Sequence, residues 1–277
     1  MSNRIKMLIV GGCFPVQDNI SPDKLYHQIL RKQLLESNDI NLEIRIIRYE
    51  NIKKCFNKIS EAVVIDKPDL ILFHLRTEPI LLPAKLFCKY HNREGNLIRR
   101  INLSAFNLSY TVKDKQKQVT ISENKPAEKS VFQIKIRSVL REFNYFGGYL
   151  IGNWPYILKG YLDLVNEIIQ LIKNKDLTLI ITGPVSRPFS YFENRLSERL
   201  HQYMNRYLDQ YHQIYLNLLG LNDEQGNFLF CNDLKRVNET GHKRIFKIIY
   251  SVFTKNIKSE KILCKESLPL QRTKGAY

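Results

Sequence analysis

A three-layer α/β/α sandwich around a five-stranded parallel sheet is the fold the sequence predicts, and three observations predict it. Five short apolar runs punctuate the chain, at residues 5–10, 42–48, 70–75, 177–182 and 228–231. Their apolarity is continuous rather than alternating, as expected of strands covered on both faces. Segments of helical period alternate with them, and strand–helix–strand crossovers build a doubly wound layer of parallel strands.

Each helical segment has its own signature. Ser21-Pro22-Asp23 reads as an N-cap with proline in the first turn, opening a helix over 24–36 with Leu25, Ile29 and Leu34 on one face. Leu158, Leu162, Val165, Ile169 and Ile172 predict a helix over 156–173. Leu196, Leu200, Tyr203, Tyr207, Tyr211, Ile214 and Leu218 predict a long one over 194–219, whose tyrosines suit packing better than base stacking. A last helix is expected over 241–253. Residues 76–176 separate the third and fourth runs, far more than a crossover needs. Within them, 105–130 is polar and lacks periodicity, so 80–150 reads as an insertion over the sheet, a candidate lid. The whole chain, 1–277, reads as a single domain with a basic tail from 255 to 277.

The 277 residues include 43 Lys+Arg against 27 Asp+Glu, a net charge of +16, with 44% hydrophobic residues. That composition excludes a mostly disordered chain, and the charge favours anionic partners. Eleven of the cations but only three acids lie in 235–277, on the closing helix and tail. No nucleic-acid-binding module is visible, so nucleic acid is not an expected partner. No apolar run approaches the ~20 residues of a membrane helix. The opening residues are too brief for a signal-peptide core and lack a cleavage site, so a cytoplasmic protein is expected. Five scattered cysteines without a CxxC pair suit free thiols better than a disulfide frame or a zinc site. Gly11-Gly12 matches neither GxGxxG nor the Walker pattern, and no metal or cofactor is expected.

In an open α/β sheet the ligand crevice lies beyond the carboxyl ends of the strands. There the chain places Gly11-Gly12-Cys13 after the first run, Arg76-Thr77-Glu78 after the third and Gly183-Pro184-Val185-Ser186-Arg187 after the fourth. After the fifth comes Asp233-x-x-Arg236-x-Asn238-x-x-Gly241-His242. Small, polar and charged groups thus collect at one rim.

The last of these segments resembles the closing block of the SGNH/GDSL hydrolase superfamily, Asp-x-x-His followed by Asn-x-x-Gly. Gly11-Gly12-Cys13 stands where that family has Gly-Asp-Ser, and Pro68-Asp69-Leu70-Ile71-Leu72-Phe73 leads into its third block. Ile181-Thr182-Gly183-Pro184 is similar to its fourth strand and exit loop. The resemblance spans the chain outside 80–150 and implies the strand order 2-1-3-4-5. It also implies hydrolysis of an ester or acyl group by a Ser-His-Asp triad, with a glycine amide and an asparagine holding the oxyanion.

The sequence departs from that pattern at the reacting positions. Cys13 replaces serine and could still attack as a thiolate. Arg236 occupies the position of the base and cannot accept a proton near neutrality. Glu78 occupies the asparagine position, and Asp233 alone remains of the triad. Cys13 and Asp233 are therefore the catalytic candidates, with His242 or His74 as substitute bases. Gly12, Arg76, Glu78, Arg187 and Arg236 are binding candidates, with Glu78 and Arg236 expected to pair. The implied function is ester or acyl hydrolysis at a rewritten site. The alternative is an inactive relative that binds an anionic or acylated small molecule. A Cys after a buried strand is also an ordinary core residue, and an Asp before a helix an ordinary cap.

Overall fold

The computed structural model describes residues 3–12, 14–49, 52–76, 87–91, 97–101, 139, 142–143, 145–146, 150, 154–173, 175, 177–188, 190–222, 229–231 and 236–266. The chain runs β1 (Asn3–Gly11), α1 (Tyr26–Asn38), β2 (Ile40–Arg48), α2 (Ile52–Asp66) and β3 (Leu70–His74). A hairpin of β4 (Phe87–His91) and β5 (Leu97–Ile101) follows. The chain then continues through α3 (Trp154–Ile172), β6 (Thr178–Thr182), α4 (Tyr191–Asp209), β7 (Ile214–Leu216) and α5 (Glu239–Glu266). The main sheet has the order β2-β1-β3-β6-β7, and all of its pairings are parallel. Counting only the strands of that sheet, this is the expected 2-1-3-4-5.

Side-chain alternation along each strand divides the core in two. Leu8 and Val10, Ile71 and Phe73, and Leu179 and Ile181 pack beneath α2, α3 and α4. Met7 and Ile9, Leu70 and Leu72, and Ile180 pack beneath α1 and α5. Backbone hydrogen bonds extend the sheet past its strands: Tyr49 N–H reaches the Gly11 carbonyl (3.1 Å), Leu75 N–H that of Thr182 (3.0 Å), and Gly183 N–H that of Leu216 (2.8 Å). The rim is thus held to the sheet by the same ladder.

Four expectations change. The fifth strand is β7, whereas 228–231 contributes only a bridge between Phe230 and Val237. The predicted helix over 194–219 ends at Asp209, and the chain reverses where His212 takes a φ of 53°. Ile214 and Leu218 continue the helical spacing by coincidence, and a three-residue strand leaves too short a pattern to contradict it. The first helix begins after a 3-10 turn over Pro22–Lys24, so Ser21 stands before that turn, its hydroxyl directed to the Asp23 carboxylate, and Leu25 stands at the cap position of α1. The segment expected as tail from 255 is helical as far as Glu266. In addition α2, absent from the sequence reading, covers the sheet between β2 and β3, burying Cys55, Ile59, Ala62 and Val63. The 105–130 stretch lies outside the described residues.

Candidate functional site

Gly12 directly follows β1, and Arg76 lies across it. A β-carbon at Gly12 would sit 2.6 Å from Arg76 Nε and 2.9 Å from its Cδ. The guanidinium donates to the Tyr49 carbonyl and lies 5.4 Å over the Tyr49 ring. Its own backbone is gripped by Tyr161, whose hydroxyl accepts from Arg76 N–H at 3.1 Å and donates to the Arg76 carbonyl. The Tyr49 hydroxyl in turn donates to the His74 carbonyl at 3.0 Å. Two buried tyrosines therefore fix a half-buried cation across the carboxyl ends of β1, β2 and β3. Cys13, next in sequence after Gly12, lies outside the described residues.

On the opposite face of the sheet the rim rests on a buried polar chain. His74 Nδ1 meets Thr182 Oγ1 at 2.7 Å, and its Nε2 meets the Tyr26 hydroxyl at 2.6 Å. Tyr26 N–H donates to His242 Nδ1 at 3.3 Å, which leaves the proton of His242 on Nε2, directed at Gln17 Oε1 3.1 Å away. Gln17 then donates to the Val237 carbonyl at 2.9 Å. Gly11 makes room for this arrangement, since a β-carbon there would be 3.1 Å from the His74 ring. Burial, with the neighbouring histidines adding repulsion, pushes His74 down to about 3 and His242 to about 4. His27, buried beside them, is lowered for the same reason and donates Nε2–H to the Pro15 carbonyl at 2.9 Å. His74 and His242 were expected as substitute bases. The structure instead seals both in the interior with both ring nitrogens engaged, and they position the loops after β1 and before α5.

That second loop explains part of the closing motif. Asn238 accepts the Gly241 N–H at 2.9 Å and caps α5, and it donates to the Phe230 carbonyl at 3.3 Å. A β-carbon at Gly241 would lie 2.2 Å from the Val237 side chain and 2.8 Å from the Leu229 carbonyl, so only glycine fits without rearrangement. Arg236 is aimed at the loop after β1, where it donates to Asp18 at 2.6 Å. Beside it Asn19 donates to Cys231 Sγ at 3.2 Å. The expected Glu78–Arg236 pair cannot be placed, because Glu78, like Asp233, lies outside the described residues. Among the described residues, Arg236 reaches the carboxylate of Asp18.

Arg187, expected as an anion clamp, meets the buried carboxylate of Glu193 at 3.1 Å. Its backbone N–H donates to Asn194 Oδ1 at 2.7 Å, and Asn194 donates back to its carbonyl at 2.8 Å. This fastens the exit loop of β6 to the first turn of α4. Sequence reasoning missed Gln17, Asp18, Tyr49, Tyr161 and Glu193. The Gln17-Asp18-Asn19 triplet between a glycine-rich strand end and a helix, and Tyr49 directly after an apolar run, were the available signals.

The sheet order and the flanking helices define an α/β protein of the SGNH hydrolase-like fold. Solved structures agree on that fold. An esterase of Pseudoalteromonas, EstA, superposes with a TM-score of 0.52 at 12% identity, over 91% of this chain and 98% of its own. A G-D-S-L family lipolytic protein of Veillonella parvula gives 0.52 at 11%, over 90% and 98%. Axe2, an acetylxylan esterase of Geobacillus stearothermophilus, gives 0.53 at 9%, over 90% and 94%. No family model and no curated protein matches the sequence.

Proposed function

We propose that this SGNH-fold protein binds an acylated or anionic small molecule at the rim of its sheet, with Arg76 as the anchor, and does not turn esters over. The observation that carries the reading is the Arg76 guanidinium lying across Gly12, at the mouth of the β1 exit where the resemblance would put an acyl carbonyl. A guanidinium offers five donors in a rigid fork suited to a carboxylate or phosphate. The position of the base is an arginine that engages Asp18, and burial holds the nearby histidines below the usual histidine range, with His74 and His242 engaged at both ring nitrogens and His27 donating from Nε2 to the Pro15 carbonyl.

Hydrolysis through Cys13 is the second reading, and the same cation favours it. A guanidinium packed on the preceding residue would favour a thiolate, and the fold is one that esterases share. One set of measurements separates the two. Decanoate binding is followed by calorimetry, and turnover of short acyl nitrophenyl esters and thioesters is assayed, for the wild type, Arg76→Met, Cys13→Ala and Asp233→Ala. The binding reading expects decanoate affinity to fall at least tenfold in Arg76→Met, with no turnover by any variant. Turnover that disappears in Cys13→Ala and Asp233→Ala would establish the hydrolytic reading instead. An unchanged decanoate affinity in Arg76→Met would remove Arg76 from the site.

A further inference from the structure

Residues 139, 142, 143, 145, 146 and 150 are helical, and they divide by face. Tyr145 is buried in the core beneath α2, α3 and α4. Val139, Phe143, Phe146 and Leu150, spaced by 4, 3 and 4 residues as on one helical face, are 56%, 72%, 42% and 61% exposed. Isolated exposed apolar residues are common, but four in a helical stripe are not. The stripe continues onto the start of α4: the Phe146 and Phe192 rings lie 5.0 Å apart, and Tyr191, itself exposed, meets Phe192 edge-on at 5.1 Å. An apolar surface therefore borders the rim on the β6 side.

We infer that this surface docks on an anionic lipid bilayer, lying in the headgroup layer without crossing it. The charge of this part of the sequence, with the cation at the start of α4, points to that occupant. Residues 133–150 contain Lys135, Arg137 and Arg141 against one acid, Glu142. The Glu142 carboxylate is drawn inward, where it accepts the Phe192 backbone N–H. Arg195, which also pairs with Glu198 at 3.0 Å, holds its guanidinium 5.4 Å over the Tyr191 ring. Exposed apolar and aromatic residues interspersed in sequence with cations, on a strongly basic protein, are the composition of an interfacial helix, in which apolar burial and attraction to anionic headgroups act together. No helix among the described residues is long and apolar enough to span a membrane. The inference does not depend on the binding reading for Arg76.

The test is co-sedimentation of the full chain with vesicles of phosphatidylcholine alone or mixed 3:1 with phosphatidylglycerol, at low and high salt. Binding to the anionic vesicles that weakens with salt, and that falls at least tenfold in the Phe143→Ser/Leu150→Ser double variant, is expected. Both positions are exposed, and an unchanged thermal transition checks that the variant folds. Three outcomes overturn the inference: no binding to anionic vesicles at low salt, binding equal in wild type and variant, or a dimer in sedimentation velocity that the double variant dissociates while lipid binding is absent. The last would make the stripe a contact between two copies of the chain.

Discussion

Beneath α2, α3 and α4 the sheet buries Val10, Phe73 and Ile181, and at the top Tyr49 and Tyr161 hold the backbone of β3 and Arg76. Beneath α1 and α5 the same strand ends carry His74 and Thr182, joined through Tyr26, His242 and Gln17 into one buried chain. The first face is held by area removed from water, which is strong and indifferent to direction. The second adds to its own apolar core, built on Met7, Ile9, Leu72 and Ile180, a chain of hydrogen bonds, each worth less in net stability but demanding one geometry. That geometry fixes the loops after β1 and before α5, from which Asp18 and Arg236 meet. Both faces thus supply stability through burial, and the polar chain on the second decides where the rim groups stand.

The sharpest way to break this contrast is to remove the largest fully buried wholly apolar side chain on the apolar face. Phe73→Ala is expected to cost about 3–5 kcal/mol in urea denaturation, since a buried aromatic is replaced by a cavity. The midpoint should move equally at pH 8 and pH 6.

The next effect in size belongs to the histidines and has a pH signature. Their folded values, about 3 for His74 and about 4 for His242, lie below that of an unfolded histidine, so the unfolded chain takes up protons first. The stability held by the neutral rings is complete above about pH 6.5 and drains away as the pH falls towards those values. The loss amounts to about 1.4 kcal/mol per pH unit for each ring. Thermal transitions recorded between pH 8 and pH 5 should show this decline. His74→Gln should lower stability at pH 8 by roughly 1–3 kcal/mol, because Tyr26 or Thr182 loses a partner, and should flatten the decline. A slope unchanged by that substitution would mean that His74 is not buried neutral.

The smallest effect is expected at the surface, where Asp18 is exposed and Arg236 half-buried. Asp18→Asn should change stability by about 0–1 kcal/mol, and less at high salt. If decanoate affinity changes severalfold in the same variant, the pair sets the rim's charge and not only its shape.

The layer order and most of the sheet were legible because buried parallel strands leave continuous apolar runs, and four of the five expected runs became strands of the main sheet. The exceptions have local causes. β7 is three residues long and sits in phase with the helix before it, so Ile214 and Leu218 read as more of the same face. The Phe230 segment is apolar because it lines the core beneath α5, yet it forms a bridge and not a strand. At the site, the sequence singled out Arg76, Arg187, Arg236, His74 and His242 because polar residues beyond strand ends are visible as types and positions. What those residues do was not visible. A histidine two residues before Arg76 looks the same in sequence whether it faces solvent or the interior.

From the sequence alone came the α/β class, the expectation that ligands bind at the rim, and the basic charge. Tertiary structure decided which face of the sheet each rim residue joins and who its partner is. Asp18 lies 218 positions from Arg236, and Gln17 lies 225 from His242, yet each pair is in hydrogen-bonding contact. Periodicity reports only neighbours along an element. Which distant groups meet is set by the packing of helices on the sheet, and no local pattern encodes it.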